Sequence, residues 1–390
     1  MSPYFDVSSS CKETIKRSSG RFIGFINHAI SLVRSSHLSL YSCKYSRRDY
    51  TQHQLLTILL FKEYRKEDYR TIICDLEEMD RIRKSLGLMS IPHFTTLQKF
   101  LCRIKPIYLD MLFKCTLRQF YSDDGSIPIT AIDSSGFTSG YSSHYYSFRT
   151  GKLRKHFLKT SIAVDTEQQI ITGFMISNNR VHESRHALVL LKKCHSLRKS
   201  ECYVMDRGYD SEKMHKLIRE SLNADSVIPT RAWKNTANIW GKYRKEMTDN
   251  FDFLRYRKRV LVETKFSVLK RRFGADLKSR SFQIQKKEIS CKIILANLDR
   301  IILFVWTEVF YRATFSNRSA ILKLQSRSRS RSKRIPEKSI SDFDLKIGSW
   351  FFRKNRSLYF PCRAGLYPVR MKKRGLIPPS PTRTRTAGMR

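Results

Sequence analysis

The residues whose types and spacing most clearly suggest a reactive site lie in the segment 256–270, YRKRVLVETKFSVLK. Four of its side chains, at offsets of zero, three, seven and fourteen, would share one face of a helix that turns by about 100° per residue. They are Tyr256, Arg259, Glu263 and Lys270. One carboxylate framed by cations could hold a metal ion and a phosphate backbone together. A solvated basic helix with one Arg–Glu pair at i,i+4 is the simpler alternative, and this segment alone favours it.

Two further carboxylates follow predicted strands. The apolar residues 127–132 predict a buried strand that ends at Asp133, where residues 134–136 would turn the chain. Residues 202–205 predict a second short strand, which ends at Asp206. Functional sites of α/β sheets collect beyond the carboxyl ends of strands, so both acids have a suitable position.

Asp133, Asp206 and Glu263 are therefore candidate ligands of a hard divalent cation such as magnesium. Two such ions, about 3.5–4 Å apart, would activate a water or a 3′-hydroxyl and stabilise the leaving oxygen of a displacement at phosphorus. An acid at a strand end is also often only a helix cap or a turn former, so spacing alone leaves both interpretations open.

A second metal-like pattern is His182-Glu-Ser-Arg-His186, which fits the H-E-x-x-H pattern of zinc proteases. The pattern fixes only three positions, and no persuasive third ligand follows. We expect His182 to be a polar helix cap or a DNA contact instead.

The elements that must position the acids form an α/β arrangement. Hairpin strands are predicted at residues 158–164 and 170–176, helices at 182–197 and 211–222, and a last strand at 226–229. This order predicts a mixed sheet with helices on its faces, in a catalytic domain over residues 126–314. The apolar stretch 293–310 is interrupted by Asp299 and Arg300, so we expect a core helix there rather than a membrane span.

Helical apolar spacing predicts a small all-α domain over residues 46–121. Its last helices suggest a helix-turn-helix, in which a helix beginning near His93 turns Gln98, Lys99 and Arg103 toward base edges or phosphates. A purely structural helix pair is an equally open interpretation. Residues 1–45 are expected to be a basic, loosely attached arm or a short helix.

Two tryptophans, Trp233 and Trp240, lie among Arg and Lys between the last strand and the helix of Glu263. Aromatic side chains interleaved with cations suit stacking on an unpaired or flipped base. A small subdomain with a Trp core is at least as well favoured. Residues 315–390 contain a Ser-Arg run with no possible core, and we expect a disordered basic tail.

The composition narrows the class of partner. The 390-residue chain has 75 Lys and Arg against 34 Asp and Glu, a formal net charge of +41, and nucleic acid is the expected partner. An anionic membrane surface is less favoured, because no long basic amphipathic helix has a clean apolar face. Nine scattered cysteines without a C-x-x-C pair favour a reducing cytosol, and the first twenty residues lack the apolar region of a signal peptide.

Three motifs, in order, resemble those of insertion-sequence DDE transposases of bacteria and archaea. Tyr256, Arg259, Glu263 and Lys270 match the Y-(2)-R-(3)-E-(6)-K signature of the group named after insertion sequences four and five. Ala131-Ile-Asp133-Ser-Ser-Gly136 and Met205-Asp206-Arg-Gly-Tyr209-Asp210 resemble the family's first and second Asp motifs.

The resemblance implies a ribonuclease-H-like core and two Mg²⁺ or Mn²⁺ ions bound by Asp133, Asp206 and Glu263. A further implication is cut-and-paste strand transfer at terminal inverted repeats. It also implies DNA contacts by Tyr256, Arg259 and Lys270, an active complex that is at least a homodimer, and a nucleoid-associated prokaryotic protein. A nuclease of the same fold without strand transfer and a DNA-binding protein that no longer cuts remain the alternatives.

Overall fold

The computed structural model describes residues 20–121, 123–139, 149, 157–178, 183–231 and 239–329. The chain divides into two compact units, Met1–Ser316 and Asn317–Arg390. The second unit is described only over residues 317–329, which are helical.

The first described part of the chain is helical. It contains α1 (Arg21–Arg34), α2 (Gln52–Arg65), α3 (Tyr69–Glu78), α4 (Asp80–Leu86), α5 (Phe94–Arg103) and α6 (Pro106–Phe120). Local signals set several ends: Thr51 and Gln54 form a capping box at α2, and Gly87, at φ 64°, ends α4. Within the predicted N-terminal arm 1–45, residues 21–34 form α1, and its Phe25 and Ile26 are buried in the core, whereas residues 1–19 lie outside the described residues.

A mixed sheet follows the helices, as the sequence predicts. Its strands are β1 (Ile127–Ser139), β2 (Phe157–Asp165), β3 (Ile171–Asn178), β4 (Ser200–Met205), β5 (Asp225–Val227) and the short β6 (Asp276–Leu277). The order is β3-β2-β1-β4-β5, with β6 beside the end of β1. The first three strands are antiparallel neighbours, whereas β4 and β5 run parallel to β1.

Strand β1 is longer than predicted. The sequence predicts a strand end at Asp133 and a turn at residues 134–136, but the strand continues to Ser139. It remains paired with β2 as far as Thr138 opposite Phe157, and β6 pairs with its last two residues. Continuous pairing with β2, and pairing with β6 just beyond the stretch, outweigh the weak strand preference of Ser-Ser-Gly.

Helices cover both faces of the sheet. They are α7 (Glu183–Leu197), α8 (Glu212–Lys216), α9 (Lys242–Asp249), α10 (Phe253–Arg257), α11 (Val260–Phe273) and α12 (Phe282–Arg329). Successive residues of β1 point into different cores, as a strand requires. Ala131 shares one core with Leu269 of α11, and Ile132 shares the other with Leu190 of α7.

Helix α12 is a core helix, as predicted, and Ile293, Ile294 and Leu295 are fully buried. Asn297 anchors it to β3 by accepting a bond from the Ile171 N–H and donating one to the Ile171 carbonyl, both at 2.9 Å. The helix continues to Arg329, so the first residues of the predicted tail, 315–329, are helical. Helix formers such as Ala320, Leu322 and Lys323 explain the extension. No helix in the described part of the chain combines the length and apolar composition of a membrane span.

A buried lysine gives a test of this packing. Lys265 of α11 donates to the Gln169 carbonyl at 2.8 Å, and burial lowers its pKa to about 7. Between that value and the pKa of about 10.4 of an unfolded lysine, only the unfolded chain binds the proton, so stability rises with pH. We expect Lys265→Met to remove up to about 1.4 kcal/mol per pH unit from the rise in the free energy of unfolding between pH 7 and 9. Urea unfolding at both pH values measures the slope. The exposed Lys245→Met should retain the wild-type slope, and the same slope in the Lys265 variant would contradict the assignment.

Candidate active site

Strand register brings Asp133 and Asp206 together. Strands β1 and β4 run parallel, and their last registered pair is Ile132 with Met205. Asp133 and Asp206 are the next residues of the two segments, so they follow this pair side by side, and both are partly buried. The two acids therefore lie next to each other where β4 ends, at the sheet position that the sequence predicts for them.

Arg259 joins the third acid to the first. It occupies the position before α11, and its guanidinium lies 3.5 Å from Asp133 Oδ2 and 2.7 Å from Glu263 Oε1. Glu263 lies in the first turn of α11, with its side chain 49% exposed. Asp133 and Glu263 therefore both contact the Arg259 guanidinium, and Asp206, which follows β4, lies next to Asp133.

The electrostatics show that the three acids influence one another. Burial raises the pKa of Asp133, and the charges of Asp206 and Glu263 raise it further, against the Ser134 N–H and Arg259. The pKa of Arg259 is raised although burial opposes the rise, because Glu263, Tyr256, Asp206 and Asp133 all favour its charged form. The site thus contains a partly buried Asp133 whose charge is influenced by two other acids and by Arg259.

The predicted single helix over residues 256–270 is two helices. α10 ends at Arg257 and α11 begins at Val260, because backbone bonds between them tighten to the i−3 residue. Tyr256 therefore lies on α10 rather than on the helix of Glu263. It remains beside the site, since the Arg259 guanidinium lies 5.8 Å from its ring centroid.

Lys270 contacts the same face of β1 as Asp133. Its Nζ donates to Ser135 Oγ at 2.7 Å and lies 5.6 Å from the ring centroid of Phe137. Ser135 is two residues beyond Asp133, so the two side chains leave β1 on the same face. Burial lowers the pKa of Lys270. The motif of Tyr256, Arg259, Glu263 and Lys270 thereby lies over one face of β1.

The other predicted DNA contacts lie elsewhere. Gln98, Lys99 and Arg103 are exposed on α5, as predicted, and Trp240 is 85% exposed. Among the described residues, no hydrogen bond or ion pair joins these four to the three acids. Trp233 and His182 lie outside the described residues. A role of these side chains in DNA binding stays a prediction.

Sequence reasoning missed two arginines at this site. Arg231 and Arg244 bind the turn that follows Asp206, through its main chain and through the carboxylate of Asp210. Their only sequence signal is an excess of basic residues after the last strand, which does not single them out.

One comparison with known proteins matches this part of the chain. The family model described as Transposase DDE domain matches residues 124–298, a range that includes all three acids. This segment is therefore similar to transposase DDE domains. The segment has three antiparallel strands followed by two parallel ones, with flanking helices. This is the ribonuclease-H-like architecture that the resemblance implies. Assignment to the group of insertion sequences four and five stays a prediction.

One solved structure with a similar chain is a cryo-EM structure of a piggyBac transposase synaptic complex with hairpin DNA. The similarity has a TM-score of 0.42 and 13% sequence identity, and it covers 93% of this chain and 87% of that chain. A TM-score of this size marks a loose resemblance. A comparison with curated proteins found no match.

The three acids suit a divalent cation in donor type. Carboxylate oxygens are the ligands that Mg²⁺ takes. Burial, and to a smaller extent the charges of Asp206 and Glu263, raise the pKa of Asp133, and a bound cation would stabilise its charged form. Among the described residues, no three His, Cys, Asp or Glu side chains form a group that could hold a metal ion as they stand. Arg259 contacts Asp133 and Glu263 instead, so cation binding requires its guanidinium to move.

Proposed function

We propose that this chain is a cut-and-paste DNA transposase, which cleaves a phosphodiester at each transposon end and joins the exposed 3′-hydroxyl to target DNA. The observation that carries the proposal is that Arg259 joins two of the motif acids, with the third on the neighbouring strand segment. Arg259 contacts Asp133 and Glu263, and the strand register sets Asp206 beside Asp133. The transposase DDE domain match supports the same reaction class.

The acids and the cations would have separate roles. Asp133, Asp206 and Glu263 would hold Mg²⁺ or Mn²⁺, which, when bound, activates the attacking oxygen and stabilises the leaving one. Arg259 lies next to these acids, so it would turn from them to a phosphate of the DNA. Lys270 would hold a second phosphate from its place beside β1. Tyr256 would orient the Arg259 guanidinium over its ring.

The partners follow from charge and symmetry. A net charge of +41 favours double-stranded DNA over any acidic protein surface of similar size. A transposon has two ends that must be processed together, so the active complex would contain at least two copies of the chain.

The experiment mixes the purified protein and Mg²⁺ with a labelled plasmid that carries the DNA flanking its gene on both sides. Cleavage at the element's ends, followed by a joined product in a second plasmid, is the expected result. Cleavage without a joined product would favour a nuclease. High, salt-dependent DNA affinity with no Mn²⁺ binding in calorimetry would favour a DNA-binding protein that no longer cuts.

Lys270 gives a test of the proposed phosphate contact. Because each neutralised phosphate releases counterions, we expect Lys270→Gln to weaken end-DNA binding and to reduce the slope of log affinity against log salt by about 0.9. Fluorescence anisotropy between 50 and 200 mM salt, about the range used for such slopes, measures it. The exposed Lys216→Gln serves as control, and equal slopes for wild type and both variants would refute the contact.

A further inference from the structure

The turn after β4 is held by a buried ion pair. Both carboxylate oxygens of Asp210 accept bonds from Arg244, from Nε at 2.8 Å and from Nη2 at 2.7 Å. The Asp210 side chain is only 1% exposed, and it accepts a third bond from the Arg231 N–H at 2.7 Å. Hydrogen bonds within the protein therefore use three of the roughly four acceptor sites of this carboxylate.

The same turn is held at its other residues. The Arg231 side chain donates to the carbonyl of Arg207 at 3.1 Å and to that of Gly208 at 3.2 Å. The hydroxyl of Tyr209 lies 2.7 Å from Ser134 Oγ, on the residue after Asp133. Every residue from 207 to 210 is therefore bonded to a group outside the turn. Together we call Arg231, Arg244 and Asp210 the turn clamp.

Arg244 of the turn clamp lies on helix α9, whose own position is fixed. Glu212 accepts bonds from the backbone N–H groups of Tyr243 and Arg244, at 3.3 and 3.2 Å. A side chain at Gly241 would collide with this carboxylate, and Gly241 has a φ of 105°. The amino end of α9 is thus seated on α8, directly after the turn.

We propose that Arg231 and Arg244 are positioning residues that set Asp206 against Asp133, and that Asp210 is their anchor. In its consequence for catalysis, this inference rests on the proposed function. The bidentate geometry needs the planar fork of arginine, which a lysine cannot reproduce. Replacing a residue that hydrogen-bonds and orients a metal ligand typically lowers metal affinity 10- to 100-fold.

The test compares Arg244→Lys with a matched control on the same helix. Glu246→Gln breaks the ion pair of α9 with Arg219, which has an N···O distance of 2.7 Å and does not involve the turn. Hydrogen exchange of the amides of residues 206–210 is the first measurement. We expect roughly tenfold faster exchange in Arg244→Lys, with wild-type exchange in the control.

Two further measurements separate positioning from general destabilisation. Mn²⁺ affinity should fall about 10- to 100-fold in Arg244→Lys, while affinity for end DNA stays unchanged. Excess Mn²⁺ should then restore cleavage. Should Arg244→Lys fail to fold, Asp210→Asn tests the same bonds, because it keeps the side-chain volume and removes the charge.

Unchanged exchange at residues 206–210 in a folded variant would overturn the inference, as would equal acceleration in Glu246→Gln. If wild type binds Mn²⁺, an unchanged Mn²⁺ affinity in Arg244→Lys would also overturn the inference. If wild type neither binds Mn²⁺ nor cleaves, the proposed function fails, whereas the exchange result still decides whether the turn clamp holds Asp206.

Discussion

Glu263→Gln should abolish cleavage of end DNA while leaving DNA binding intact. The change keeps the size of the side chain but removes the charge that pairs with Arg259 at 2.7 Å and that would bind a divalent cation. We expect a loss of about 10³-fold or more in the cleavage rate, the scale on which single groups of a reaction centre act. Single-turnover cleavage of labelled ends measures it, and anisotropy measures the DNA affinity.

The control for this variant is Glu167→Gln. Glu167 lies in the β2–β3 turn, with its side chain 48% exposed, and forms a 3.9 Å ion pair with Lys258. It therefore matches the change in charge and the exposure of Glu263 without touching Asp133. Near-normal cleavage by Glu263→Gln would refute the role assigned to the acids, whatever the control does.

Arg259→Gln should have opposite effects on ion binding and on cleavage. Without DNA, removal of the guanidinium frees Asp133 and Glu263, and we expect Mn²⁺ affinity to rise about tenfold. A unit charge a few ångströms away at a partly exposed site is worth on the order of 1–2 kcal/mol, which corresponds to such a factor. Cleavage should fall at the same time, because the proposed phosphate contact is lost.

Calorimetry with Mn²⁺ on the DNA-free protein is the decisive measurement for Arg259. Arg257→Gln removes the same charge from an exposed position two residues away and serves as control. An equal rise in both variants would show only a general effect of net charge. A fall in Mn²⁺ affinity in Arg259→Gln would mean that the guanidinium supports the ion instead of competing with it.

The sequence predicted those helices and strands whose positions depend on local periodicity. The helix at residues 183–197 and the hairpin of β2 and β3 follow from apolar spacing, which depends on neighbours within a few residues. The break between α10 and α11 does not, because no Gly or Pro marks residues 258–259. Nor does the length of β1, which its pairing with β2 and β6 extends past Asp133.

The sequence by itself determined the order of the main strands and helices, and it singled out the three acids and the cations of the 256–270 motif as candidates, since residue types and short-range spacing carry that information. Only the tertiary structure decided that Arg259 contacts Asp133 and Glu263 together, and that Asp210 belongs to Arg244, 34 residues away. The physical reason is that such contacts depend on strand register and helix packing, and many distant arginines could have reached the same carboxylate. In a chain with 75 Lys and Arg, the tertiary fold determines which of these side chains pairs with a given carboxylate.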